Sequence, residues 1–260
     1  MQLIDTHAHL TDPSLFGQLD AVLDAAAQAG VGHIISMACD PDDAVSAIQL
    51  AHAHQCISAT VGIHPHQAAA VAPDAVDRVA SLSRRDGVVA IGEIGLDYFY
   101  DFADRESQLR VFSSQLEVAQ GRQLPLVIHC REALDDCIRL LSRYGFESAA
   151  VVFHCFSGSA VDAERIADCG WRISFTGMVT FKKLTELQQV AAAYPPERMM
   201  IETDSPYLSP VPVRHVRPNQ PAHLRHTAAF LAALRGETLE AFAELTTDNA
   251  RRFFQLPASD

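Results

Sequence analysis

Residues 125–130 read PLVIHC: a proline, three large apolar residues, then a histidine and a cysteine. Successive side chains of a strand point to opposite sides, so an unbroken apolar run fits a strand covered on both faces. The histidine at its carboxyl end needs a different reason. Seven further runs share this plan: LIDTHAH (3–9), HIISMA (33–38), SATVGIH (58–64), VVAIGEI (88–94), AAVVFHC (149–155), WRISFTG (171–177) and MMIETD (199–204). Helix-patterned segments fill 18–29, 42–54, 73–84, 106–122, 132–144, 160–169, 185–193 and 222–234, bounded by Gly, Pro or Asp. Eight strands each followed by a helix predict an α/β protein with a parallel sheet closed as a (β/α)8 TIM barrel. An extra C-terminal helix near 239–254 is expected to cap the ring or pack outside it. No Pro-, Gly- or Ser-rich linker interrupts the sequence, so a single domain over 1–260 is expected.

The composition is that of a soluble globular protein, with 48% hydrophobic and 20% charged residues. The opening MQLIDTH has no basic or apolar leader pattern, and no run nears the roughly 18 apolar residues of a membrane span, so a cytoplasmic protein without membrane contact is expected. Six scattered cysteines without a C-x-x-C read as buried free thiols. With no obvious exposed apolar stripe, a monomer is expected. A net charge of −12 weighs against a broad basic groove for duplex nucleic acid. It leaves room for local phosphate grips, for which Arg131, Lys182, Lys183, Arg214 and Arg217 are candidates, although such charges more often face solvent.

The first run continues as LIDTHAHLTD (3–12), where strand alternation puts Asp5, His7 and His9 on one face. Alone, the two histidines read equally as a chelating pair or as packed residues of a strand end. The other strands tip the balance. Barrel enzymes carry their active sites at the carboxyl ends of the strands, and there stand His7 and His9, His64, Glu93, His129, His154 and Asp204; only the second and seventh strands lack a strong ligand. So many ionisable groups at one end are costly to desolvate unless a cation compensates them. Mixed imidazole and carboxylate ligands suit Zn, Mn, Fe or Ni, and Mg where oxygen dominates. The donors exceed one tetrahedral site, so two divalent ions sharing Glu93 is the simplest arrangement.

Read in order, THAHL, VGIHPH, GEIGLDYFYD, LVIHCREA, FHCFSGS, FTGMVTFKK and IETDSPYLSP closely resemble the TatD family of metal-dependent hydrolases and deoxyribonucleases, within the amidohydrolase-like metallo-barrels. The resemblance implies that His7, His9, Glu93 and Asp204 hold one ion while Glu93, His129 and His154 hold the other. It also implies that His64 stands near the metals and engages the scissile phosphate. His66 is a weaker candidate whose structural reading is at least as good. Asp97 and Tyr98 match a segment lining the site, and Arg131 could contact phosphate. RPNQPAH (217–223) resembles a segment that commonly reads R-N-E-P, with Gln220 where the acid stands, which puts the usual role of Asn219 and Gln220 in doubt.

The reaction expected is two-metal hydrolysis of a phosphodiester, water attacking phosphorus in line. Mg, Mn and Zn are the candidate ions. Glu93 bridges, Asp204 is either ligand alone or also the base, and His64 or Arg131 steadies phosphate charge. The resemblance suggests a 3′-5′ exodeoxyribonuclease whose nucleic-acid substrate is a single-stranded or damaged DNA end. Phe99, Tyr100, Phe102, Phe181 and Tyr207 fall in strand-to-helix loops where one or two could stack on bases, though aromatics are more often packed. The alternative enzyme is a deacylase acting on an ester or amide bond, including D-aminoacyl-tRNA. Many related barrels bridge their ions with a carbamylated lysine, whereas the fourth strand offers Glu93 and no lysine. A binding protein on an inactive barrel would require lost ligands, and none looks lost. Asn249 and Arg251 read as a helix end only.

Overall fold

In the computed structural model, which describes residues 2–146 and 150–257, every strand is followed by at least one helix. In chain order they are β1 (Leu3–Ala8), α1 (Pro13–Phe16), α2 (Leu19–Gln28), β2 (Val31–Ser36), α3 (Pro41–Ala53), β3 (Ile57–Val61), α4 (Ala75–Leu82), β4 (Val88–Asp97) and α5 (Arg105–Arg122). Then follow β5 (Leu126–Arg131), α6 (Leu134–Arg143), β6 (Val151–Phe153), α7 (Ala160–Asp168), β7 (Arg172–Phe175), α8 (Thr185–Ala193), β8 (Met199–Ile201), α9 (Leu224–Arg235) and α10 (Leu239–Phe254). The eight strands form one sheet in sequence order. That order, with a helix after each strand, is the (β/α)8 barrel plan. Residue 149, placed by sequence at the start of the sixth strand, lies outside the described residues. Among the described residues no helix is long and apolar enough to cross a membrane.

The chain divides into two compact units. The first comprises Met1–Ser36, Cys155–Asp168 and Arg172–Asp260. Here β1 pairs in parallel with β2, and β7 with β8. β8 also turns back onto β1: the Thr6 hydroxyl donates to the Ile201 carbonyl at 3.0 Å, Asp204 N to His7 O at 2.9 Å and His9 N to Ser205 O at 2.8 Å. All six residues of β1 are buried, as a strand covered on both faces must be. α10 begins at Thr238, whose hydroxyl caps Ala241 N, and packs on β1 and β8. Asn249 corrects its sequence reading. It lies inside α10, fully buried, and its amide donates to Pro196 O at 2.7 Å and Met199 O at 2.9 Å. It therefore fixes the approach to β8. Arg251 is likewise engaged, donating to the Gln2 side chain at 2.7 Å.

The second unit comprises Met37–His154 and Cys169–Trp171, and in it β3 to β6 pair in parallel, neighbour to neighbour. Its helices start where the sequence supplies caps. The Asp40 carboxylate accepts from Asp42 N and Asp43 N with Pro41 in the first turn of α3, and Asp104 accepts from Ser107 N at the start of α5. β4 runs three residues beyond the predicted 88–94, because Gly95 lets its backbone lie against His129 in the β4–β5 register. Conversely β3, β6 and β8 stop early, so His64, His154 and Asp204 stand just past their strands.

Candidate metal centre

In the first unit, β1 and the residue just past it deliver two imidazoles, and the segment after β8 delivers a carboxylate. His7 Nε2 and His9 Nε2 lie 3.3 Å apart, and Asp204 Oδ1 lies 3.6 Å from the first and 3.5 Å from the second. Two nitrogens bound to one ion at about 2.1 Å, at angles between a right angle and the tetrahedral value, stand roughly 3.0–3.4 Å apart. The observed 3.3 Å falls in that window. Asp204 adopts φ 53°, a left-handed conformation that aspartate tolerates better than most residues.

Two buried side chains hold this carboxylate's segment in place. Asp5 accepts from Thr203 N at 2.9 Å and from the Thr203 hydroxyl at 2.6 Å. Burial pushes the Asp5 carboxyl up to about 7 even against those hydrogen bonds. Asn219 donates to Thr203 O at 3.0 Å and Tyr207 O at 2.6 Å, while its Oδ1 accepts from Gln220 N at 3.0 Å and lies 2.9 Å from His223 Nδ1. Asn219 thus braces the turn on either side of Asp204. Glu202, which the sequence reading passed over, is also buried and accepts from Cys155 N at 2.6 Å.

That bracing makes a testable point. Asn219→Ala is expected to lower stability by about 2–3 kcal/mol, because truncation strips buried carbonyls of their donor. It is also expected to weaken Mn²⁺ binding by roughly 10–100-fold, the usual range when a residue orienting a metal ligand is removed. A denaturation curve and a Mn²⁺ titration read the two effects. Unchanged Mn²⁺ affinity would show that Asn219 holds the turn without serving the ligands.

In the second unit, three imidazoles converge on one carboxylate oxygen. Glu93 Oε1 lies 2.6 Å from His154 Nε2, 2.8 Å from His129 Nδ1 and 3.3 Å from His64 Nε2. The other ring nitrogen of His129, Nε2, is 2.8 Å from Asp97 Oδ2, which also lies 2.8 Å from His66 Nε2. A neutral imidazole carries one N–H. With that N–H directed at Asp97, the His129 Nδ1 lone pair faces the Glu93 carboxylate, and a shared positive charge relieves the repulsion. A carboxylate behind a ligating histidine is the usual way such a ring is oriented toward a metal. In both units the donor sets fit a divalent cation, and their atoms lie within 4.8 Å of one another.

The local electrostatics follow from burial against hydrogen bonding. Burial lowers His64 to about 4, with Glu93 pulling the other way, so its ring is neutral near pH 7. For His129 burial also disfavours charge, yet the hydrogen bonds with Asp97 and Glu93 outweigh it and raise the pKa. Asp97 is opposed by burial as well, but His129, Tyr100 N and His66 hold it well below the usual carboxylate range.

The remaining candidates separate by what they touch. Asp97 is buried and spends both oxygens inside the protein: Oδ2 on the two histidines, Oδ1 on Phe99 N and Tyr100 N at 3.0 Å each. Tyr98 directs its hydroxyl to Asp136 at 2.7 Å, with the Arg105 guanidinium 4.0 Å over its ring. Burial and Asp136 together push the Tyr98 phenol pKa up. Arg131 is exposed and lies 4.0 Å over the Phe99 ring. In the other unit Arg214 covers Phe181 at 4.0 Å, Arg217 donates to Ser209, Arg214 O and Val216 O, and Lys182 and Lys183 are exposed. Tyr207 meets the His9 ring edge-on at 6.2 Å.

In each unit the donors stand at or just past the carboxyl ends of strands, the place where (β/α)8 enzymes carry their active sites, and their chemistry is that of a metal-dependent barrel. The family described as TatD related DNase matches residues 4–255. YabD of Bacillus subtilis, named an uncharacterized metal-dependent hydrolase, is 35% identical over 98% of this chain and 99% of its own. A protein of Citrobacter koseri named 3′-5′ ssDNA/RNA exonuclease TatD is 33% identical over 97% of this chain and 98% of its own. The crystal structure of YJJV, a TatD homolog from Escherichia coli, superposes with a TM-score of 0.91 at 32% identity, covering 98% of each chain. The chain belongs to the TatD family of metal-dependent hydrolases.

Proposed function

We propose that this enzyme removes nucleotides from the 3′ end of single-stranded DNA by two-metal hydrolysis of the phosphodiester. The observation that carries the reading is the pair of donor groups, His7, His9 and Asp204 in one unit and Glu93, His129 and His154 in the other. Each offers three donor atoms within reach of one cation. The relatives named 3′-5′ ssDNA/RNA exonuclease support the substrate class. Service of Glu93 to both ions, implied by the family resemblance, belongs to the proposal, with Mg, Mn or Zn as the metals.

Bound cations would set positive charge against the phosphoryl oxygens and ease the loss of a proton from water. The chain's own residues do the rest. Asp204 is a ligand whose carboxylate also accepts the proton of the attacking water. His64 Nδ1 accepts from His66 N at 3.1 Å, so the neutral ring carries its N–H on Nε2, 3.3 Å from Glu93 Oε1, and it turns that N–H to a phosphate oxygen once Glu93 is committed to the ions. Arg131 adds fixed charge. Asp97 acts through His129 and His66 as a positioning residue.

Metal-stripped protein given Mg²⁺, Mn²⁺ or Zn²⁺ and end-labelled single-stranded DNA tests the reading. A 3′ label is expected to appear first as mononucleotide, while a 5′ label stays on a ladder of shortening strands. Failure with every cation, in protein that binds ions, would overturn it in favour of a carbonyl-centred deacylase, which an ester and aminoacyl-RNA panel would then reveal.

A further inference from the structure

Three aromatic side chains stand in solvent just after β4: Phe99 is 51% exposed, Tyr100 42% and Phe102 63%. Single exposed apolar residues are ordinary, but a contiguous group calls for a partner. The Phe99 and Tyr100 centroids are 4.8 Å apart, and those of Tyr100 and Phe102 5.5 Å. Arg131 places its guanidinium 4.0 Å over Phe99 and 5.0 Å from Tyr100. On the other flank the His66 ring lies 4.6 Å from Phe102.

The segment carrying these rings is held at both ends. Gln108 on α5 accepts from Asp97 N and donates to Asp97 O and Ala103 O, each at 2.8 Å. Asp97 Oδ1 accepts from Phe99 N and Tyr100 N, while its Oδ2 contacts His66 and His129. One carboxylate therefore fixes the aromatic group through one oxygen and a ligand of the Glu93 cluster through the other. The His66 ring lies 4.6 Å from Phe102 and 5.8 Å from His129, so the aromatic group stands one ring away from a member of the Glu93 cluster. Little ordering remains to be done on binding.

We propose that Phe99, Tyr100 and Phe102, with Arg131, form a stacking subsite for a nucleobase of a single-stranded substrate, adjacent to the scissile phosphate. The inference rests on the phosphodiesterase reading above. A nucleobase suits this surface because every base offers a π-face, so stacking holds single strands without regard to sequence. A guanidinium held over a ring still has N–H donors for phosphate. The net charge of −12 opposes an anionic lipid surface and leaves little long-range attraction for DNA. Affinity must then come from local contacts of this kind.

The test compares wild type with a Phe99→Leu/Phe102→Leu double variant, both loaded with Mn²⁺ and assayed for ion content. The probe is a fluorescent phosphorothioate oligothymidylate, which resists cleavage, intact or with one abasic residue placed successively near its 3′ end. For wild type, one abasic position is expected to weaken binding about tenfold. The variant is expected to bind the intact strand about tenfold more weakly and to lose little further when that base is absent. Equal losses on base removal in wild type and variant would overturn the subsite, as would absence of oligonucleotide binding. Because binding is read without cleavage, a base- and ring-dependent affinity in a protein that cleaves no DNA would contradict the nuclease reading and leave the subsite standing.

Discussion

Glu93→Gln is expected to lower hydrolysis at least a hundredfold while leaving the protein folded. The substitution keeps the side chain's size and removes its charge from a buried position faced by three imidazole nitrogens at 2.6, 2.8 and 3.3 Å. Without a cation the carboxylate is still partnered by His129 and His154, and removing one member of a buried charged pair destabilises. The metal-free variant is therefore expected to unfold below metal-free wild type. With Mn²⁺ the difference widens. A ligand at a hundred times its dissociation constant stabilises the native state by about 2.7 kcal/mol, a gain the variant forgoes. Thermal unfolding with and without Mn²⁺, together with ion content, checks this. A variant that kept its ions and its rate would remove Glu93 from the centre of the account.

Gly95→Ala is expected to have the largest effect on stability. Gly95 lies at φ +139°, where side-chain-bearing residues are rarely found, and an added Cβ would meet His129 O at 2.0 Å. The obstacle is backbone, so no rotamer change relieves it. Gly95 pairs with His129 in the β4–β5 register, between Glu93 and Asp97 in sequence. Relief must then displace the strands that carry the donors. Strain and overlap together amount to about 3–5 kcal/mol. At roughly 2–4 °C per kcal/mol for a chain of this size, the melting temperature is expected to fall by about 10 °C, with metal affinity falling alongside. Gly121→Ala is the control: it lies in α5 with nothing within 4 Å of an added Cβ, and is expected to be neutral or stabilising by about 0.5–1 kcal/mol. A mild Gly95→Ala would show that the two strands separate there without loss.

The strands were legible because burial on two faces leaves an unbroken apolar run, as in PLVIHC. The donors were legible because a histidine or acid at the end of such a run has no place in a core. Less legible were the residues that hold the donors. Asp5 braces Thr203 across 198 positions, and Asn219 braces both sides of Asp204; no local spacing reveals such a partner. Tyr98, which the family resemblance puts in a segment lining the site, directs its hydroxyl to Asp136 on α6, a partner no local spacing reveals. Phe99, Tyr100 and Phe102 were legible as loop aromatics, but their grouping rests on the Gln108 clamp, which the local sequence does not announce.

The central claim is that the gathered donors hold the ions that hydrolyse phosphodiesters. The most direct measurement returns Mn²⁺ stepwise to metal-stripped protein, recording bound ions per chain and the rate of 3′ nucleotide release from single-stranded DNA at each step. The account predicts no release from the metal-free chain and full rate only as the count approaches two. Release that persists without bound ions, or that is complete in a chain unable to bind any, would contradict it.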